Sequence, residues 1–443
     1  MYLALVANVE AITPHPNSDN GLNLVKAGGW TTVSAAPYKV GDKVVVFAAG
    51  DGVLSADYLR ENNEYRHPHL NKDPAKSGFF EDSGRIRTIK LRGQESSAYI
   101  VPVESLAFTG AKVSELQVGS LFDTLNGVQI CSKYETSATR KAKEKNLQPG
   151  TKKTKLYDLP RHYETLQVRD NIATLRGAKG KVIITEKLHG TSGRTGLVPV
   201  QKPDLTLPTW KQWLFEALDW AKIQKYPQIT AWELVSGTRN CILQTDIGEN
   251  DERGKSYRKV AHDMFVGNLR PGETVYYEIV GYDNNTPLFH HPLGKEDAET
   301  KLLAKKYGSS MVYAYGCYPQ KSVKEEQSVF KIYIYRITQR DCMGKEIELP
   351  WFEIERRAEE LWIPTVPVLA TWNGVPDDFE EQLKILSSGG SSLDNTHIRE
   401  GVCLRIEDKG VSPKAMKYKG YLFCHLEGIR KNSDDYIDIE EIS

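Results

Sequence analysis

The sequence contains no Cys-x-x-Cys pair, no long apolar run and no net charge. Its six cysteines (Cys131, Cys241, Cys317, Cys342, Cys403 and Cys424) are scattered, which argues against a zinc ribbon and suits unpaired thiols in a reducing cytosol. A membrane-spanning helix needs about eighteen consecutive apolar residues, and none occur, so no membrane association is expected. The opening stretch MYLALVANVEAITPHP lacks a basic flank, so it is not read as a secretory leader. Lys plus Arg and Asp plus Glu each number 58, so bulk charge draws no polyanion, and nucleic-acid binding would need local basic patches. What remains is an ordinary globular composition over 443 residues, enough for two or three domains. A cytoplasmic monomer is expected, with a nuclear setting left open.

Residues 1–120 read as short strands separated by turns, the pattern of a small β-barrel. KVVVFAAG and YIVPVESL are strand-like, and the polar stretch 60–84 reads as an inserted loop. GRIRTIKLRGQES sets Arg85, Arg87, Lys90 and Arg92 on strand-like sequence whose alternation slips, which suggests a bulge. Residues 121–158 include a basic run with Arg140, Lys141, Lys143, Lys145, Lys152, Lys153 and Lys155. They read as an exposed linker, either a solvated tether or a phosphate-contacting one. Residues 159–443 mix strands at 181–186, 229–235, 274–281, 329–337, 401–406 and 414–419 with helical stretches. One of these, TWKQWLFEALDWAKIQKY, bears a stripe of Trp210, Trp213, Leu214, Ala217, Leu218 and Ala221, taken as a packing face and not a base-stacking platform. WFEIERRAEELW and DDFEEQLKILSS also read as amphipathic helices. The βα pattern does not alternate regularly, which predicts an α+β fold of antiparallel sheets flanked by helices.

Four strand-borne pieces carry chemistry together. TEKLHGTSGR offers Glu186, Lys187 and a glycine-rich turn, and VYYEIVGYD offers Glu278. FKIYIYRIT offers Tyr335, and REGVCLRIE followed by AMKYKGYLF offers Glu400, Lys417 and Lys419. In this order they resemble the covalent nucleotidyltransferases, the superfamily of ATP-dependent ligases and mRNA capping enzymes. TEKLHGTS looks like the nucleotidyl-lysine motif. YYEIVGY resembles motif III, YIYRI motif IIIa, REGVCLR motif IV and KYKG motif V. His189 at the third place of the first motif is the RNA ligase style. ITPHPNSDNGLNLVKAG and IKLRGQESSAYI look like the OB-type domain of phenylalanyl-tRNA synthetase β chains. An OB domain ahead of the adenylyltransferase (ATP-grasp-like ligase) domain resembles the RNA ligase 5, or Deinococcus-type, family. Only residues 420–443 follow motif V, too few for the trailing OB domain of capping enzymes and most DNA ligases.

That resemblance implies a function and a set of roles. Lys187 would attack ATP, and the amine must be neutral to do so although free lysine titrates near ~10.4. Lys417 and Lys419 would disfavour its proton and hold phosphates. Phosphoryl transfer needs a divalent metal, Mg2+ or Mn2+, with Glu400 and Glu278 as the acidic candidates; the resemblance offers Glu278 a ribose contact instead. Tyr335 would stack on adenine, or simply fill a core, with Tyr333 as its rival if the strand faces the other way. Glu186 would accept from the adenine amino group. Arg169 would grip the triphosphate or merely sit on a solvated helix. Arg239 in SGTRN looks like the arginine that binds the RNA 3′-OH strand, and its alternative is a surface loop residue. Arg85, Arg87, Lys90 and Arg92 would grip nucleic acid around the break, unless salt-bridged surface accounts for them. Cys403, His290 and His291 read as structural. The implied partner is RNA, or a nicked duplex with a 5′-phosphate and an RNA 3′-OH. A DNA ligase, a capping guanylyltransferase and a non-catalytic OB-containing RNA-binding protein are the competing readings.

Overall fold

The computed structural model describes residues 2–18, 21–146, 157–162, 165–220, 222–239, 241–243, 256–294, 297–322, 328–341, 343–408 and 413–430. The N-terminal unit is a nearly closed barrel. Its strands β1 (Ala4–Pro14), β2 (Asn23–Ala27), β3 (Trp30–Ser34), β4 (Lys43–Ala48) and β5 (Ala98–Pro102) lie in the order β3-β2-β1-β4-β5, with Leu121–Phe122 also on β1. The two ends approach each other: Ser97 N–H donates to Thr31 O at 2.8 Å, and the Thr32 and Ser96 hydroxyls meet at 3.1 Å. The unbroken run in β4 reflects cover on both faces. Val44 and Val46 point into one cluster with Val25 and Trp30, and Val45 and Phe47 into another with Tyr58 and Leu106.

The larger unit places two sheets around a shared core. The first has Leu166–Gln167, β13 (Lys414–Lys419), β12 (Gly401–Glu407), β6 (Lys181–Lys187) and β11 (Val368–Asn373) in that order; its strands pair antiparallel except for the short parallel pair of Leu166–Gln167 with β13. The second runs β8 (Gln228–Gly237), β7 (Thr191–Pro203), β9 (Glu273–Asp283), β10 (Phe330–Arg340) and Glu346–Glu348. Alternation sorts β6 between two cores: Val182 and Ile184 pack with Phe379 and Leu383 of helix α3 (Phe379–Leu386), while Ile183 joins Tyr277, Ile279 and Ile354 between the sheets. The α+β expectation therefore holds.

Four expectations change in detail. Residues 121–133 pair back onto the barrel unit, Cys131–Lys133 against Gly52–Leu54, so we propose that the linker begins after Lys133 and not at 121. Arg140 and Lys141 lie exposed on helix Ser137–Asn146, whereas Lys152, Lys153 and Lys155 fall outside the described residues. The 60–84 stretch is built, not loose: the Asn71 side chain accepts from Tyr65 N–H and donates to Tyr65 O, both at 2.9 Å, beneath buried Tyr65 and Phe80. Arg85 and Lys90 do not share a bulged strand. Arg85–Ile86 pairs with Gly52–Leu54, while Ile89–Leu91 turns at Arg92 (φ 49°) into a hairpin with Gln94–Ser96. Fourth, the tryptophan helix α1 (Thr209–Trp220) fully buries no residue: Trp210, Trp213, Leu214 and Ala217 of its stripe are exposed, Leu218 is half-buried, and Ala221 lies outside the described residues.

One buried ion pair ties helix to sheet. Arg357 of α2 (Trp351–Leu361) grips Glu273 at the start of β9 with two bonds, Nε to Oε1 at 2.7 Å and Nη2 to Oε2 at 2.8 Å. Both side chains are nearly solvent-free, so removing the arginine strands a buried carboxylate. Arg357→Ala is expected to cost about 3–5 kcal/mol in urea unfolding. A loss below about 1 kcal/mol would mean that the pair contributes little beyond its surroundings.

Candidate active site

Sheet register assembles the site. Lys187 on β6 lies directly opposite Gly401 on β12, which lies opposite Lys419 on β13. The next row on that face is Thr185, Cys403 and Lys417. Residues paired across strands project to one face, so three lysines distant in sequence converge. Glycine is required between Lys187 and Lys419: a Cβ at Gly401 would run into Tyr418 O and come within 2.7 Å of Lys419 Cα.

Glu400, one residue before that glycine, is only 1 % exposed. Its Oε1 lies 2.7 Å from Lys187 Nζ and 3.5 Å from Lys419 Nζ; its Oε2 is 3.6 Å from His189 Nδ1. Burial works to raise its pKa, but the two ammonium groups and His189 outweigh it and hold the carboxyl well below the usual range. Lys419 also reaches Glu427, 3.0 Å away on α4 (Tyr421–Arg430). Opposite this group, Glu278 accepts from Gly190 N–H and the Ser192 hydroxyl, each at 3.1 Å.

The turn after Lys187 is held from below. His189 N–H donates to the Tyr315 hydroxyl at 2.6 Å, and the His189 ring packs against Phe289, Tyr313 and Phe423. Tyr315 is buried with φ 50°, a left-handed conformation that is costly for a bulky residue and here sits under the candidate nucleophile.

Lys187, Glu278, Tyr335, Arg239, Lys417 and Lys419 line one cavity of about 620 Å3, whose other wall includes Trp30, Asp51 and Lys133 of the barrel unit. A hard cation is chemically compatible with it through the Glu278 carboxylate on its wall; Glu400 is not a lining residue, and its Oε2, buried with no hydrogen-bond partner, lies toward His189. Among the described residues no group of three or more His, Cys, Asp or Glu could hold an ion alone. One or two carboxylates completed by substrate phosphates and water is a Mg2+-like arrangement.

The other expected residues divide: Glu186, Tyr335 and Arg169 line the same cavity, while Arg85, Arg87, Lys90 and Arg92 do not. Glu186 has the opposite parity to Lys187 and is 1 % exposed; Ser392 donates to its Oε2 from backbone N–H at 2.9 Å and from its hydroxyl at 2.6 Å. Tyr335 is the extra residue of a bulge, because Tyr276 pairs with Arg336 while Tyr277 pairs with Ile334. That bulge separates it from Tyr333, two residues away. The Tyr335 hydroxyl meets His162 Nε2 at 2.8 Å, whereas Tyr333 lies buried opposite Glu278. Arg169 is wedged between the rings of Trp30 and Tyr418, 4.8 Å from each, with Glu95 at 3.6 Å, so it joins the two units and is not on a solvated helix. Arg85 is buried with its guanidinium over Tyr134 and bonded to Gly428 O, and Lys90 pairs with Glu299 across the seam. The four-residue basic face is thus not one open surface: Arg85 is buried, Lys90 is exposed but paired with Glu299, and Arg87 and Arg92 are exposed. Cys403, read as structural, faces the cavity between Thr185 and Lys417, and burial pushes its thiol up to about 11. His291 is buried against Tyr313. Sequence reading passed over Gly401, Tyr315, Ser392 and Glu427. Only Gly401 left a signal, as the small residue between an acid and a strand opposite two lysines.

The family model described as RNA ligase matches residues 180–419, and the chain belongs to that family. The solved structures it resembles include a Naegleria gruberi RNA ligase with PPi, at 17 % identity and TM-score 0.54 over 96 % of this chain and 98 % of that one. A mutant of that ligase with AMP and Mn gives 17 % and 0.56, covering 98 % and 100 %. Another mutant, with ATP and Mn, gives 18 % and 0.56, covering 96 % and 100 %. At such identities the likeness shows the fold. No curated protein matches the chain. No described helix is long and apolar enough to cross a membrane.

Because its folded pKa lies below the ordinary 4.5, Glu400 contributes stability that is present in full above about pH 4.5 and lost as pH falls toward the folded value. The gap in urea midpoint between the wild type and Glu400→Gln should therefore stay flat from about pH 8 to about pH 5 and close only in more acid solution. A gap that closes between about pH 8 and about pH 6 would contradict this assignment.

Proposed function

We propose that this chain is an ATP-dependent RNA ligase of the Deinococcus-type branch, with Lys187 as its nucleophile. The observation that carries the reading is the row Lys187–Gly401–Lys419 with Glu400 at 2.7 Å from the amine. In the first step Lys187 Nζ bonds to the α-phosphorus of ATP, and the bond to the departing pyrophosphate breaks. In the second, a 5′-phosphate oxygen takes the AMP and the nitrogen–phosphorus bond breaks. In the third, a 3′-OH attacks the activated 5′-phosphorus, sealing the strand and releasing AMP.

The chain's own groups support these steps physically. Attack needs a free lone pair on Lys187: Lys417 and Lys419 act against its proton while Glu400 at 2.7 Å favours it, so the proton must pass to solvent before the nitrogen–phosphorus bond forms. Glu400 binds protons too weakly to be the base. It acts as a counter-ion that fixes Lys187 and Lys419 in place before the nucleotide arrives. Glu400 and Glu278 would hold Mg2+ or Mn2+, which when bound neutralises charge developing on the phosphates. Lys417 and Lys419 would contact the phosphates. Arg169, on the cavity wall, would reach the triphosphate once its barrel contacts yield. Glu278 is also placed to accept from a ribose hydroxyl, and Glu186 with Ser392 to read the adenine amino group. Tyr335 and Tyr333 compete to stack on the base. Arg239, with Arg87 and Arg92, would contact the RNA around a nick in the cytosol.

Incubation with α-phosphate-labelled ATP and Mg2+ or Mn2+ should place label on the protein. Lys187→Ala should abolish that label, and Lys417→Ala or Lys419→Ala should cut its rate by roughly 100-fold or more. Label that survives in Lys187→Ala removes the central claim, and no label at all favours a non-catalytic RNA-binding protein. Labelling by GTP in preference to ATP would mark a capping enzyme, and equal sealing of nicks with a DNA 3′-OH would mark a DNA ligase.

A further inference from the structure

Helix α1 lies between β7 and β8, at the far end of a hairpin that pairs from Arg194–Gly237 out to Pro203–Gln228. Strand β9 accompanies β7 only as far as Gly196, so the outer half of the hairpin and its helix project past the sheet. The helix already has an inner face. Lys211, Gln212, Phe215 and Leu218 are half-buried, with Phe215 against the ring of Tyr226 and Gln212 bonded to Leu205 O and Leu207 O. The opposite face carries Trp210, Trp213, Leu214, Ala217 and Trp220, and the three tryptophans are 64 %, 71 % and 88 % exposed.

A twelve-residue helix gains most of its stability from an apolar face packed against something, and this helix turns its richer face outward. The stripe presents on the order of 600 Å2 of apolar surface, beyond what scattered hydrophobic residues expose on a typical monomer. Exposed Leu205 and Ile223 at the helix ends bring it toward the roughly 800 Å2 per partner of a standard interface. Charge argues against a polyanion: Lys211 is outnumbered on the helix by Glu216 and Asp219.

The spacing identifies the occupant. The three tryptophans and Ala217 are symmetric about Phe215, with Trp210 and Trp220 five residues to either side and Trp213 and Ala217 two; Leu214 alone has a polar counterpart, Glu216. An antiparallel copy of the same helix would set Trp213 of each protomer into the gap over its partner's Ala217, and Trp210 against Trp220. Large opposite small in both directions is the requirement of a two-fold, self-complementary contact. We propose that the α1 stripe is the interface of a homodimer, in place of the expected monomer.

Sedimentation velocity on the full chain, from about 1 µM to about 100 µM, tests this, a range that populates even a weak dimer. The wild type should shift from monomer to dimer, and Trp213→Glu should stay monomeric throughout. Ala217→Trp, which fills the gap while adding apolar surface, should also stay monomeric. Circular dichroism and lysine labelling by ATP, unchanged in both variants, establish that the fold is intact. The proposal does not need the ligase reading, because the association is read directly. A wild type that remains monomeric at the highest concentration overturns it, as does a dimer that both variants leave intact. A monomeric wild type that loses single-stranded RNA binding on Trp213→Glu would assign the stripe to nucleic acid instead.

Discussion

Glu400 is the constraint on which the site depends. A carboxylate that is nearly solvent-free persists in charged form only if cations surround it, and Lys187 and Lys419 supply them from two strands that flank its own. The lysines in turn have converged positions only because β6, β12 and β13 pair in one register. A slip of one residue would turn Lys187 to the other face and leave Glu400 buried without its main partner. Strand pairing, Glu400 and Lys187 thus form one cooperative unit. Gly401 is the place where that unit has no steric slack.

Support for the turn comes from beneath. The hydroxyl of Tyr315 takes the His189 N–H, and aromatic rings enclose the imidazole, so the two residues after Lys187 have little freedom. The left-handed backbone at Tyr315 is strain retained at a functional position and balanced by the packing around it. On the other side, Ser192 and Gly190 orient Glu278 from the strand that follows. The loop after Lys187 is therefore fixed by both sheets at once.

The order of the chemical strands was readable because each carries a short, dense signature: Lys187 before a glycine turn, Glu278 in an aromatic strand, Lys417 and Lys419 alternating. Alternation also placed the strands of the larger unit. Contacts that depend on where a chain turns in space were not readable. The bulge that separates Tyr335 from Tyr333 is created by pairing with β9, and no local residue marks it. Arg85 and Lys90 looked like a basic face because charge on a strand usually meets water, yet Arg85 is buried here and Lys90, still exposed, is paired with Glu299 of the second unit. The α1 stripe had the period of a packed helix, and periodicity does not say whether the partner is in the same chain. The joint between barrel and linker was blurred because Cys131–Lys133 returns to a strand some eighty residues earlier.

The seam between the two units is held largely by polar groups: Lys26 to Glu380, Lys90 to Glu299, Arg169 to Glu95, and the Trp30 indole to Asp170. Screening by dissolved ions acts on contacts of this kind far more than on apolar ones. The barrel's hold on its neighbour is therefore set partly by the ionic strength around it.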